Sequence, residues 1–164
     1  MLKTEKNLQD AFAGESQANR KYLAYARYAD AEGYKRIAKL FRAAAEAETV
    51  HAHNHLKEFE GKKSTRENLE AAISGETFEF QSMYPQMIKD AEEEGNKTAL
   101  RSFSYANEVE KVHADLYIKA LANMDDKSDA DYYVCPVCGN TFEGEAPDEC
   151  PVCKAKKQSF RKID

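Results

Sequence analysis

The pattern Glu-x-x-His occurs twice, as Glu48-Thr49-Val50-His51 and as Glu110-Lys111-Val112-His113. On an α-helix, residues three apart share a face, so each copy aims one carboxylate and one imidazole at the same point in space. Oxygen and nitrogen donors paired in this way are metal ligands. Glu15 precedes the first copy by 33 residues and Glu76 precedes the second by 34, so each copy has a lone upstream carboxylate at a matching distance. A single Glu-x-x-His is as easily a solvated helix face, but two copies with matched upstream glutamates are not. When two helices each carry such a pair and two others each carry a glutamate, the inward cluster is a carboxylate-bridged site for two iron or manganese ions.

Glu79 adds a carboxylate three residues after Glu76, on the same helix face, and is surplus to a six-ligand site. Two unit charges about 4 Å apart repel by about 4 kcal/mol at an effective dielectric near 20, so five glutamates gathered together require cations. Oxygen-dominated ligation with one imidazole per metal suits iron or manganese better than copper, and the lack of thiolate there disfavours structural zinc. His53 lies roughly 140° around the helix from Glu48 and is expected at the surface. His55 is on the ligand stripe two turns along and is expected to pack, while Glu46 and Glu108 point away from the motif faces. Tyr22, seven residues after Glu15, and Tyr84, five after Glu79, are spaced so that either hydroxyl can reach a ligand carboxylate.

All four cysteines fall near the end of the chain, as Cys135-Pro136-Val137-Cys138 and Cys150-Pro151-Val152-Cys153. Two C-x-x-C pairs at this range make a tetrahedral four-cysteine metal site, either a zinc ribbon or an iron centre. A redox-active pair of metals needs an electron supply, and zinc carries none, which favours iron here with zinc as the other candidate. Tyr132, Tyr133, Val134, Phe142 and Phe160 are expected to cover the sulfurs.

These ligands need helices to hold them. Glu5 to Glu32 is rich in Ala, Glu, Gln and Arg and closes at Gly33, and Tyr34 to Glu60 continues with apolar residues at three and four until Gly61. Ser64-Thr65-Arg66-Glu67 has the spacing of a capping box and opens a short segment expected to stop near Gly75. A third helix is expected from Glu76 to Glu94 with Pro85 kinking it, and a fourth from Lys97 to Met124. The chain thus reads as two helical hairpins, each supplying one lone carboxylate and one Glu-x-x-His. The acidic stretch Asp125 to Asp131 cannot bury apolar surface and reads as a linker. Beyond it, residues 132–164 are too few for a sufficient hydrophobic core and need the cysteine-bound metal as a staple. The expected fold class is an all-α four-helix bundle over residues 1–124, a linker over 125–131, and a small, mostly β or irregular metal-stapled domain over 132–164.

At 164 residues the chain has no room for a second large domain. Its formal net charge of -5 excludes a general phosphate-binding surface and hence nucleic acid as a partner. No apolar run is long enough for a membrane helix, and Met1 to Asp10 lacks the apolar centre of a secretory signal, so a cytoplasmic location is expected.

Taken in order, FAGES, EAETVHAHNH, GETFE, EVEKVH, CPVCG and CPVC resemble the rubrerythrin family along essentially the whole chain. The resemblance implies a ferritin-like bundle followed by a rubredoxin-like domain. It implies that Glu48 and Glu110 bridge two irons, with Glu15 on one and Glu76 with His113 on the other, and that the first iron exchanges Glu79 for His51 on reduction. It places Tyr22 and Tyr84 against the cluster, and a further iron on Cys135, Cys138, Cys150 and Cys153. It also implies a homodimer that reduces hydrogen peroxide to water, supplied by an NAD(P)H-linked reductase or a rubredoxin, as a defence against oxidative stress. The rubredoxin-like domain of one subunit approaches the di-iron site of the other in that family; the reach of the linker leaves an in-chain route equally open. Lys154 departs from the glycine often found after the second cysteine of such a loop, which puts the hydrogen bonding around that sulfur in question. Two rival readings are a ferritin-like protein that oxidises and stores iron, and a bundle carrying a zinc ribbon as a docking module.

Overall fold

The computed structural model describes residues 2–164. Two compact units divide it, residues 2–63 and 64–164.

The first unit is a helical hairpin of α1 (Lys3–Ala31) and α2 (Lys35–Glu60). Strong helix formers fill both segments, and the contact face is made of alanines: Ala26, Ala29, Ala38, Ala45 and Ala52 are all buried. Small side chains let the two backbones approach closely. Asn19 then fixes their register, its Nδ2 donating to the Ala45 carbonyl at 2.7 Å and to Thr49 Oγ1 at 2.8 Å. The turn closes on Gly33, whose φ of +86° permits the Tyr34 N–H to reach back to the Ala29 carbonyl at 2.8 Å.

The second unit begins with α3 (Thr65–Phe78), opened by the capping box that its sequence signals. Glu67 N–H donates to Ser64 Oγ at 3.2 Å, while the Glu67 carboxylate accepts from the Ser64 N–H at 2.7 Å. The expected stop at Gly75 does not occur. Gly75 keeps helical backbone and α3 runs through it into a five-residue π turn, Glu79–Met83, followed by α4 (Tyr84–Glu93). This is how the chain accommodates Pro85 without a break. The Tyr84 N–H reaches the Glu79 carbonyl five residues back, and Pro85, which has no N–H to donate, falls in the first turn of α4. A π turn is an α-helix carrying one extra residue. That residue accounts for the unequal spacing of the two halves: Glu15 to Gly33 is 18 residues, and Glu76 to Gly95 is 19. Gly95 closes the α4–α5 turn as Gly33 closes the first, with the Asn96 N–H donating to the Ala91 carbonyl at 2.9 Å. Helix α5 (Lys97–Ala122) starts on an Asn96 cap and packs against both α3 and α4.

No helical, strand or bridge structure occupies residues 126–131. The chain then forms an antiparallel sheet in the order β2-β1-β3, from β1 (Tyr132–Val134), β2 (Thr141–Glu143) and β3 (Arg161–Ile163). Tyr133 pairs with Phe142 on one side and Lys162 on the other. Phe142 and Phe160 meet edge to face at 5.4 Å. The fully buried residues of this part are few, chiefly Cys135, Cys150, Ala146 and Asn140, so its cohesion depends on the cysteine cluster. β2 lies against α5, where Lys119 pairs with Glu143.

Candidate metal centres

In the first unit, Glu15 from α1 meets Glu48 and His51 from α2, with one ligand atom of each within 4.8 Å of the others. His51 Nδ1 lies 2.9 Å from Glu48 Oε2, and the imidazole is half exposed. The second unit repeats the arrangement with Glu76 from α3 and Glu110 and His113 from α5, again within 4.8 Å. His113 Nδ1 lies 2.7 Å from Glu110 Oε2 and 3.8 Å from Glu76 Oε2. Each hairpin therefore carries one glutamate and one Glu-x-x-His gathered to a point.

The electrostatics of the second cluster follow from how closely its carboxylates are crowded. Burial, followed by a shared hydrogen bond with Glu110 and repulsion from Glu110 and Glu79, raises the Glu76 carboxyl to about 7. Glu79 is raised by burial and then by Glu110, with His113 pulling the other way. The phenol of Tyr84 is raised by burial and by Glu110, Glu79 and Glu76 together. Glu79 and Tyr84 thus belong to this cluster electrostatically, although Glu79 stands outside the tight trio. Carboxylates crowded so that one of them is pushed up to about 7 form a set whose repulsion a cation can offset, and its oxygen and imidazole donors fit iron.

Tyr22 packs its ring on Tyr25 and Phe41, and Tyr84 packs near Phe103. Among the described residues, neither hydroxyl is hydrogen-bonded to a carboxylate. His53, Glu46 and Glu108 are exposed, and His55 is half-buried.

The four cysteines form the third cluster, their sulfurs within 4.8 Å of one another. Cys135 and Cys153 are 3.5 Å apart, Cys138 and Cys150 3.6 Å, and all four are free thiols. Four unlinked sulfurs at these distances fit a tetrahedral thiolate-bound ion. Burial opposes ionisation of Cys150, yet N–H groups of Cys153 and Val152 aimed at its sulfur bring it down to about 7. The two loops are built alike despite Lys154. The Gly139 N–H donates to the Cys135 carbonyl at 2.9 Å, and the Lys154 N–H to the Cys150 carbonyl at 3.0 Å. The Asn140 and Ala155 N–H groups serve the Cys138 and Cys153 sulfurs respectively. Lys154 achieves this by adopting φ +64°, where glycine is usual, so the hydrogen bonding around the sulfur is preserved.

Two residues with a direct bearing on the clusters escaped sequence reasoning. Asn140, buried, directs Nδ2 at Cys150 Sγ at 3.9 Å. Thr141 Oγ1 lies 3.0 Å from His113 Nε2. Neither has a spacing signal, because both act across elements that only the fold brings together.

Family comparison supports this pairing of centres along the chain. The rubrerythrin family model matches residues 6–121, and that of the rubrerythrin rubredoxin-like domain matches residues 133–161. The chain belongs to the rubrerythrin family. Nigerythrin of Nitratidesulfovibrio vulgaris is 37% identical over 96% of the chain and 85% of its own length. Rubrerythrin of Porphyromonas gingivalis is 37% identical over 96% and 88%, and rubrerythrin-2 of Clostridium acetobutylicum is 35% identical over 94% and 93%. The structure resembles mixed-valence nigerythrin at a TM-score of 0.60, with 35% identity, 99% of this chain and 88% of that one. With membership comes the fold class expected from the sequence, an all-α four-helix part followed by a small three-stranded rubredoxin-like part. Its cofactors are those of the family: iron at the glutamate and histidine ligands, and iron at the four cysteines. As a rubrerythrin the protein is an iron-binding oxidoreductase of the peroxidase type. No described helix is long and apolar enough to cross a membrane.

Proposed function

We propose that the protein is a non-haem peroxidase that reduces hydrogen peroxide to two waters, using electrons drawn through its four-cysteine centre. A reductase oxidising NAD(P)H, or a rubredoxin, supplies that centre. Two irons bound by the clustered carboxylates supply Lewis acidity and the electrons for O–O cleavage.

The chain's own residues set the conditions. Glu48 and Glu110 would be shared between the two irons, with Glu15 a ligand of one and Glu76 with His113 ligands of the other. Of the seven ligands a six-ligand set needs only one of Glu79 and His51, and the two would be free to replace each other as the charge of the site changes. Tyr22 and Tyr84 offer phenol protons beside the carboxylates. Functional boundaries follow the ligands: residues 1–124 hold the carboxylate site, 125–131 link, and 132–164 hold the thiolate site. The protein acts in the cytoplasm as a homodimer or small oligomer, consistent with large apolar side chains left outward on α2, including Leu40 at 67% exposure.

The observation that carries this reading is that one chain holds both a repeated carboxylate–imidazole trio and a thiolate centre, the latter docked against the helix that bears His113. Metal analysis of the purified protein, combined with an NADH-linked peroxidase assay in the presence of a reductase and rubredoxin, tests it. About three irons per chain and peroxide-dependent NADH oxidation are expected. Zinc at the cysteines, or no peroxide turnover from iron-replete protein, counts against it.

A further inference from the structure

His113 meets more than its carboxylate neighbours. Its Nδ1 faces Glu110 and Glu76, and its Nε2, on the far edge of the ring, lies 3.0 Å from Thr141 Oγ1 in β2. Thr141 Oγ1 in turn donates to the Gly139 carbonyl at 3.2 Å. Gly139 directly follows Cys138, so a hydrogen-bonded chain joins the imidazole to the cysteine loop: His113, Thr141, Gly139.

One assignment of protons in this chain suits a metal at Nδ1. In it the single hydroxyl proton of Thr141 goes to the Gly139 carbonyl, which can only accept. The lone pairs of Thr141 Oγ1 then accept from His113 Nε2–H. That leaves Nδ1 unprotonated toward Glu110 and Glu76, the tautomer a metal requires. The contact sits at the edge of a mainly apolar cleft of about 500 Å³ whose walls include Leu69, Leu116, Tyr132 and Val134. Few competing polar groups are at hand there.

We propose that Thr141 is a positioning residue for the di-iron site: it holds the His113 ring in the metal-binding tautomer and ties its orientation to the Cys135–Cys138 loop. The proposal rests on the reading of His113 as a ligand. It assigns the outer hydrogen bond of that ligand to a side chain of the rubredoxin-like part of the same chain, so that the docking of that part and the affinity of the carboxylate site are linked.

The test uses the full chain with zinc already in the four-cysteine site, titrated with Co²⁺ alone and followed by visible absorption. Thr141→Val keeps the shape and removes the hydroxyl, and it should weaken Co²⁺ binding at the carboxylate site by about 10–100-fold. Thr141→Ser should restore it to within about threefold of wild type. In ¹⁵N-histidine spectra of the all-zinc wild-type protein, His113 should show a slowly exchanging Nε2–H, lost or faster-exchanging in Thr141→Val. Wild-type affinity in Thr141→Val, or an unprotonated Nε2 in the zinc-loaded wild type, overturns the proposal, and the latter does so even if the valine variant fails to fold. His113→Gln separates the levels. If it too binds Co²⁺ normally, His113 is no ligand and the underlying reading falls; if it alone weakens binding, only the role of Thr141 falls.

Discussion

Replacing Glu76 by glutamine should stabilise the protein when the carboxylate site holds no metal, even though it damages that site. Glu76 is raised from 4.5 to about 7 by burial and by Glu110 and Glu79. A shift of one unit corresponds to about 1.4 kcal/mol, so the full shift corresponds to about 3 kcal/mol. The side chain keeps 21% exposure, and partial screening by solvent brings the expected effect to about 2 kcal/mol. An acid whose folded pKa lies above its unfolded value contributes nothing adverse below pH 4.5, where both states are protonated. It loses stability progressively as pH rises to about 7, because folding then opposes ionisation. Glutamine mimics the protonated form and can still donate to Glu110, so it escapes that loss. Urea unfolding of protein with zinc in the cysteine site and chelator present, at pH 5 and pH 8, measures the effect. Glu76→Gln should exceed wild type only slightly at pH 5 and by about 2 kcal/mol at pH 8, while losing metal affinity. Equal stability of the two at pH 8 would falsify the assignment of a crowded, cation-seeking carboxylate.

Lys154→Gly should raise stability by about 1 kcal/mol, since Lys154 holds φ +64° where a side chain is strained; chemical unfolding of the zinc-loaded protein checks it. Ser64→Ala removes the side-chain half of the α3 capping box, the bond from the Glu67 N–H to Ser64 Oγ, and should cost about 1 kcal/mol, with Ser64→Asp recovering most of it. Asn19→Leu leaves the Ala45 and Thr49 contacts unmade and should lower stability by about 1–2 kcal/mol in a thermal melt. Glu79→Ala removes the exchangeable carboxylate and should lower peroxide turnover by at least about tenfold in steady-state assays, with iron content retained.

The helices were legible because their composition and their glycine stops act locally: Gly33, Gly61 and Gly95 end helices as expected. Gly75 misled because a glycine ends a helix only if the chain leaves helical backbone there, and packing of α3 on α5 carries it through. The π turn left a trace that spacing alone could have yielded, the one-residue excess between Glu76 and Gly95. Read with Pro85, it marks where an extra residue is absorbed. The Glu-x-x-His pairs were legible as helical spacing, and the cysteine pairs as a motif, since each depends on residues close in sequence. Thr141 was not, because nothing around it in sequence distinguishes it from any strand threonine. It gains meaning only when β2 lies on α5.

Rapid mixing of the fully reduced, iron-loaded protein with hydrogen peroxide probes the central claim most directly, with the visible band of the iron–thiolate centre and the near-ultraviolet absorption of the carboxylate site followed together. Both signals should return to their oxidised forms, the carboxylate site first and the thiolate centre after it. A thiolate centre that stays reduced while peroxide is consumed would contradict the account.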